Sequence, residues 1–325
     1  MDVATDPSSW LDEMSKAKDR LSRHLRPTPL VRSDYLSRKL GRPVLLKLES
    51  MQPVGAFKVR PALNSILAHL HQCRSAGVVT NSSGNFAQAV AYAATLLGVE
   101  SSIVMMRGAS AFKRDRTRRF GGNVVLCEDT YSARSETTER IRRESGRYLV
   151  HPFDSTETIA GNCTLGMEIA EQVDGDFAMY VPISGGGLIA GAALGAKAVH
   201  PACQVLGVQA EANPATKRSL EQGRRVRSVP SPSLADALTV PTPGARTFPI
   251  IQRQVEDVLL ASERQMAASI RLLALEQKLV VEAGGAVSVA GALARPPEGS
   301  SPVVCVISGG NIAPSQLRSI LTDAD

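Results

Sequence analysis

The chain lacks the signals that would tie it to a metal, a disulfide framework or a membrane. Its five cysteines, Cys73, Cys127, Cys163, Cys203 and Cys305, are odd in number and widely spaced, and no C-x-x-C pair occurs. That pattern argues against a disulfide scaffold or a zinc site and for buried thiols in a cytoplasmic protein. The five histidines form no ligand constellation, and His69 and His71 lie close in sequence without partners. No apolar run reaches the roughly 18–20 residues that span a bilayer. Residues 1–26 hold no apolar stretch of the kind a secretory leader requires. Aromatic residues are scarce, and none interleaves with the densest basic cluster, Lys113-Arg114-Asp115-Arg116-Thr117-Arg118-Arg119. A solvated helix face therefore explains that cluster better than a nucleic-acid patch. No metal, nucleic acid or membrane is expected as a partner. The net charge of +6 suits a protein that handles small anionic molecules.

What is present is an α/β pattern. A chain of 325 residues has room for about two domains at roughly 100–200 residues each. Short apolar runs alternate with helical ones. Val78–Thr80 leads to a helix from about Phe86 to Leu97, stopped by Gly98. Ile103–Met106, Val124–Leu126, Met179–Ile183, Gln204–Val208 and Val303–Ile307 read as further strands, and Leu188 to about Ala198 as a small-residue helix. Unbroken apolar strands separated by helices predict parallel sheets buried on both faces. Ser228–Ser233, rich in proline and serine, reads as a surface loop.

Three glycine-rich turns follow predicted strands, and ligands of parallel α/β folds sit at the carboxyl ends of strands. Ser184-Gly185-Gly186-Gly187-Leu188 opens a helix. Bare glycines there let several N–H groups point at one anion, with the helix terminus adding partial positive charge. A dinucleotide site is the rival reading, but the next strand ends in Gln209 rather than an acid, and Glu211 lies two residues further on. No Gly-Lys-Ser/Thr follows either. A plain tight turn stays open. Ser82-Ser83-Gly84-Asn85 and Ser308-Gly309-Gly310-Asn311 are the other two turns; taken alone, simple capping accounts for the first and a plain turn for the second.

The lysines narrow the choice. Of the nine in the chain, Lys58 lies in Pro53-Val54-Gly55-Ala56-Phe57-Lys58-Val59-Arg60, beside apolar residues. A desolvated lysine has a lowered pKa and can act as an amine nucleophile. A phosphate cradle together with a reactive lysine suggests pyridoxal phosphate.

From about Thr28-Pro29-Leu30 to Asn311 the sequence resembles the threonine/serine dehydratase and serine racemase family of fold-type II pyridoxal-phosphate enzymes. Lys47-Leu48-Glu49-Ser50-Met51-Gln52 with Gly55-Ala56-Phe57-Lys58 is similar to the family's lysine motif. Ser82–Asn85 is similar to its substrate loop, and His151-Pro152-Phe153-Asp154 with Ala160–Thr164 to its interdomain segment. Ser184–Leu188 resembles its phosphate loop and Ser308–Asn311 its pyridine-nitrogen turn. The resemblance implies two parallel-sheet α/β domains of the tryptophan synthase β-like architecture, with the site in the cleft between them. Residues 1–74 and 149–325 would form the large cofactor domain, and 75–148 a small mobile one. Lys58 would be the Schiff-base lysine, with Phe57 packed on the ring. Backbone N–H groups of Ser184, Gly185, Gly186, Gly187 and Leu188 would hold the phosphate. Asn85, Glu282 and Ser308 would surround the ring, Ser308 at its nitrogen. Ser82, Ser83, Gly84, Asn85 and Phe86 would hold the substrate, with Ser83 as a second catalytic group.

A hydroxyl at the ring nitrogen leaves that nitrogen largely neutral, so loss of a β-leaving group is favoured over transamination. The resemblance therefore implies a dehydratase that takes a β-hydroxy amino acid such as threonine or serine to a 2-keto acid and ammonia. Racemisation is the alternative and β-replacement a weaker one. A cytoplasmic homodimer is also implied. Ala56, Pro61, Phe86 and Ala237 depart from the family pattern, which bears on the substrate rather than the cofactor. Gln209 and Ala215 stand where metal-binding members carry acids, so no metal site is expected. The chain ends soon after Asn311, so no C-terminal regulatory domain is expected.

Overall fold

A computed structural model describes residues 5–322. Among the described residues, ten strands form two sheets. They are β1 Leu30–Arg32, β2 Val44–Lys47, β3 Val78–Asn81, β4 Ser101–Met106, β5 Asn123–Cys127, β6 Tyr148–Leu149, β7 Ala178–Pro182, β8 Gln204–Ala210, β9 Asp257–Ala261 and β10 Val303–Val306. The larger sheet has the order β1-β2-β10-β7-β8-β9 and the smaller β5-β4-β3-β6. Every pairing is parallel except that of β1 with β2, which gives the larger sheet one antiparallel edge. The fold is the fold-type II α/β architecture, with each strand predicted from sequence present to within a few residues. Strands β1, β2, β6 and β9 were not predicted. β1 and β6 are too short to show a period, and β2 lies inside a segment read for its lysine motif.

Both faces of the larger sheet are buried. Val303 and Cys305 of β10 enter one core, while Val304 and Val306 enter the other. Two buried faces are why the strand reads as an unbroken apolar run. On one face the helices Thr156–Gln172 and Gly187–Val199 lie backbone to backbone. A Cβ on Gly195 would sit 2.0 Å from Cys163 O, and one on Gly166 2.1 Å from Ala192 O. Small residues are thus required by the packing. Around the smaller sheet, Val59, Ala62, Leu63 and Ile66 of the helix Val59–Ala68 share a core with Val78, Phe86 and Ile103.

The helix Asn85–Leu96 follows β3 and is closed by Gly98 at φ +66°. Thr130 caps the helix Tyr131–Ser145 by accepting from Ala133 N, and Gly146 closes it at φ +69°. The basic helix Ala111–Arg119 is not the fully solvated face expected. Thr117 is buried, Arg116 donates to Gln88 Oε1, and Lys113 is paired with Asp236, which lies between β8 and β9. The run of charges hid these contacts because a nearly all-charged segment carries no amphipathic period. All five cysteines are free and buried.

Candidate active site

The three glycine turns lie at the carboxyl ends of β3, β7 and β10, and all three open onto one cleft of about 430 Å³ between the sheets. Strand ends stop where the next helix begins, so this edge collects unpaired N–H groups. Every residue given a cofactor, catalytic or substrate role from sequence lines the cleft: Phe57, Lys58, Ser82, Ser83, Gly84, Asn85, Phe86, Ser184, Gly185, Gly186, Gly187, Leu188, Glu282 and Ser308.

Lys58 immediately precedes the helix Val59–Ala68 and is fixed from behind. Phe57 N donates to Ser308 O, Gly310 N donates to Gly55 O, and Asn311 Nδ2 donates to Val54 O. Gly55 has φ +71°, and a Cβ there would meet Asn311 Oδ1 at 2.7 Å, so only glycine fits that turn. The lysine Nζ donates to Pro152 O at 2.9 Å and lies 4.9 Å from the Phe57 ring and 5.3 Å from the Phe86 ring. Burial pushes its pKa down to about 8. Far more of it is therefore the nucleophilic free amine at neutral pH than for an exposed lysine.

Among the described residues, the N–H groups of Gly185, Gly186, Gly187 and Leu188 donate to nothing. They sit at the start of the helix Gly187–Val199, with Gly186 at φ +94°. A Cβ on Gly185 would lie 2.5 Å from the Phe153 ring, and one on Gly187 2.7 Å from Phe153 O. The loop therefore needs glycines to hold its shape, and in that shape it offers four donors to one anion.

Elsewhere in the cleft, Ser83 Oγ is buried without a partner. Asn85 Nδ2 donates to Glu282 Oε1 at 2.5 Å, and Asn85 Oδ1 accepts from Asn311 Nδ2 at 2.8 Å. Burial raises the Glu282 pKa to about 7. Ser308 Oγ is buried and donates to Gly284 O at 3.0 Å. Residues not foreseen also line the cleft, among them Lys113, Tyr131, Arg134, His151 and Asp236. Burial lowers the pKa of His151, whose Nδ1 accepts from Asp154 N.

Residues 21–309 match the family profile described as pyridoxal-phosphate dependent enzyme. The chain belongs to this family. It is 39% identical over 300 residues to the L-threonine ammonia-lyase of Geobacter sulfurreducens, covering 92% of this chain and 75% of that one. It is 34% identical over 302 residues to the β-hydroxyaspartate dehydratase of Paracoccus denitrificans, covering 93% and 96%. The structure of maize serine racemase matches with a TM-score of 0.91 at 33% identity, covering 95% of each chain. Pyridoxal phosphate is the family's cofactor, and the cleft suits it. A partly desolvated lysine, four free N–H donors for a phosphate and a flat aromatic wall are the chemistry that cofactor requires. The metal expectation drew on Gln209, which is buried with Oε1 accepting from Lys217 N.

Proposed function

We propose that this pyridoxal-phosphate enzyme is an ammonia-lyase that converts a β-hydroxy amino acid, of the threonine or serine type, to a 2-keto acid and ammonia by α,β-elimination. The observation that carries the reading is Lys58, whose lowered pKa and apolar setting share one cleft with the four free N–H donors of the Gly185–Leu188 loop and the unpartnered Ser83 Oγ. The names of the relatives point the same way.

Bound pyridoxal phosphate supplies an electron sink that acidifies the substrate's α-hydrogen. Lys58 would hold the cofactor covalently and, once displaced by substrate, take the α-proton as a free amine. Gly185, Gly186, Gly187 and Leu188, with Ser184, would grip the phosphate through their N–H groups. The Ser82–Asn85 turn at the start of the helix Asn85–Leu96 would bind the α-carboxylate, where the helix terminus favours negative charge. Phe57 and Phe86 would exclude water from the reacting carbon. Asn85, Glu282 and Ser308 would orient the ring.

Residues 75–148 are read as a unit that closes over the substrate. Lys113 pairs with Asp236, and Tyr131 Oη lies 3.5 Å from Thr239 O, so contacts to the other lobe rim the cleft. A cytoplasmic homodimer goes with the family resemblance. Among the described residues no helix is long and apolar enough to cross a membrane.

Racemisation is the second reading, and the unpartnered Ser83 Oγ favours it as an acid–base group opposite Lys58. The test is to incubate the cofactor-loaded protein with a panel of β-hydroxy amino acids and assay keto acid, ammonia and the substrate inverted at its α-carbon. Keto acid and ammonia in equal amounts support the lyase. The α-inverted substrate without keto acid would replace it with the racemase, and neither product would sink both.

A further inference from the structure

The cleft contains one cation that the roles above leave unused. Arg134 lies near the start of the helix Tyr131–Ser145 and lines the same cleft as Lys58. Its guanidinium carbon sits 4.9 Å from the centre of the Tyr131 ring, which covers one face. Its Nε is shut off from solvent and has no hydrogen-bond partner. Among the described residues its side chain makes no ion pair and no hydrogen bond.

The other charges of the cleft are accounted for. Lys113 and Asp236 satisfy each other, and Lys58 Nζ donates to Pro152 O. Glu282 is held by Asn85. A partly buried guanidinium without a counter-charge is costly unless something arrives to pair with it. The phosphate already has the four N–H groups of the Ser184–Leu188 loop, and the α-carboxylate has the Ser82–Asn85 turn. A third anion is required. Arginine's planar fork is suited to a carboxylate, which it can grip with two parallel hydrogen bonds.

We infer that Arg134 binds a second carboxylate on the substrate, so that the preferred substrate is a β-hydroxy amino acid with a carboxylate on its β-carbon, as in 3-hydroxyaspartate. The inference rests on the ammonia-lyase reading of the cleft. The chemistry balances without an oxidant. The α-hydrogen and β-hydroxyl leave as water, water then adds to the enamine carbon, and ammonia departs, leaving oxaloacetate. Serine and threonine would bring a hydrogen or a methyl group to the same place and leave Arg134 unpaired. Sites built to pair a polar group reject analogues that lack it by up to about 10⁴-fold.

Two measurements on the cofactor-loaded protein test this. The first compares kcat/KM for 3-hydroxyaspartate and threonine in the wild type, Arg134→Gln and Arg134→Lys. The wild type is expected to favour 3-hydroxyaspartate. That preference should fall by about 10²-fold in Arg134→Gln and recover in part in Arg134→Lys. The second uses calorimetry to compare succinate, which has two carboxylates and no amino group, with butyrate. Wild type should bind succinate more tightly, and Arg134→Gln should lose that difference.

A wild-type preference for threonine, or an unchanged preference in Arg134→Gln, would overturn the inference. So would equal binding of succinate and butyrate by the wild type, whatever the variants do. If no amino acid yields keto acid while succinate still binds through Arg134, the lyase reading falls and the carboxylate assignment stands.

Discussion

Asn85 donates from Nδ2 to Glu282 Oε1 at 2.5 Å, tying the helix after β3 to the residue that precedes the helix Ala283–Ala294. The contact joins the two sides of the cleft through a carboxyl group that burial holds at a pKa of about 7, against an ordinary value of 4.5. The unfolded chain ionises this group more readily than the folded one does. The stabilisation from its neutral form is therefore complete below about 4.5 and lost by about 7. Glu282→Gln stays neutral throughout. Relative to wild type, its melting temperature should rise as pH climbs from 4.5 through 7 and level off above. Paired thermal scans at matched cofactor loading measure this, and a constant difference across that range would contradict it.

Gly187→Ala should weaken cofactor binding. The added Cβ would fall 2.7 Å from Phe153 O, which is backbone and cannot swing away. The loop must move, and at least one of its four N–H donors would lose its aim. Losing one hydrogen bond to a charged group raises the cofactor's dissociation constant by roughly 10–100-fold. Titration of the cofactor-free protein followed by absorbance gives the value.

Arg60 sits two residues beyond Lys58 and is the centre of a buried ion network. It donates to Glu49 through Nε and Nη2 at 2.8 Å each, and to Glu168 at 2.6 and 2.7 Å. Lys47 Nζ reaches Glu168 at 2.9 Å, and Thr28 Oγ1 donates to Glu49 Oε1 at 2.6 Å. Removing one partner leaves charge stranded in the interior. Arg60→Ala should cost about 3–5 kcal/mol of stability, read from urea denaturation. Because the same helix follows Lys58, the surviving folded fraction should also show reduced kcat.

The sequence carried the strand ends and the glycine turns because each has a local cause. A turn that needs φ near +90° at Gly186, or a backbone contact too close for a side chain at Gly187, leaves a glycine that can be read directly. Lys58 stood out for a similar reason, through its apolar neighbours. Arg134 did not, because its helix reads as uniformly polar, with Arg140, Arg142, Arg143 and their partner acids all along it. Which arginine of such a helix turns inward is decided by the sheet it packs against, several strands away in sequence. The same holds for Lys113, whose partner Asp236 is 123 residues distant. Long-range charge pairing leaves no periodic trace in a single chain.

Borohydride reduction of the cofactor-loaded protein shows whether Lys58 is the residue that holds the cofactor. Reduction fixes the pyridoxyl group to the amine that carries it, and peptide mass mapping then locates the lysine. The added mass is expected on the peptide containing Lys58, with no lasting modification of any lysine in Lys58→Ala. Modification of another of the nine lysines in the wild type, or of none, would contradict it.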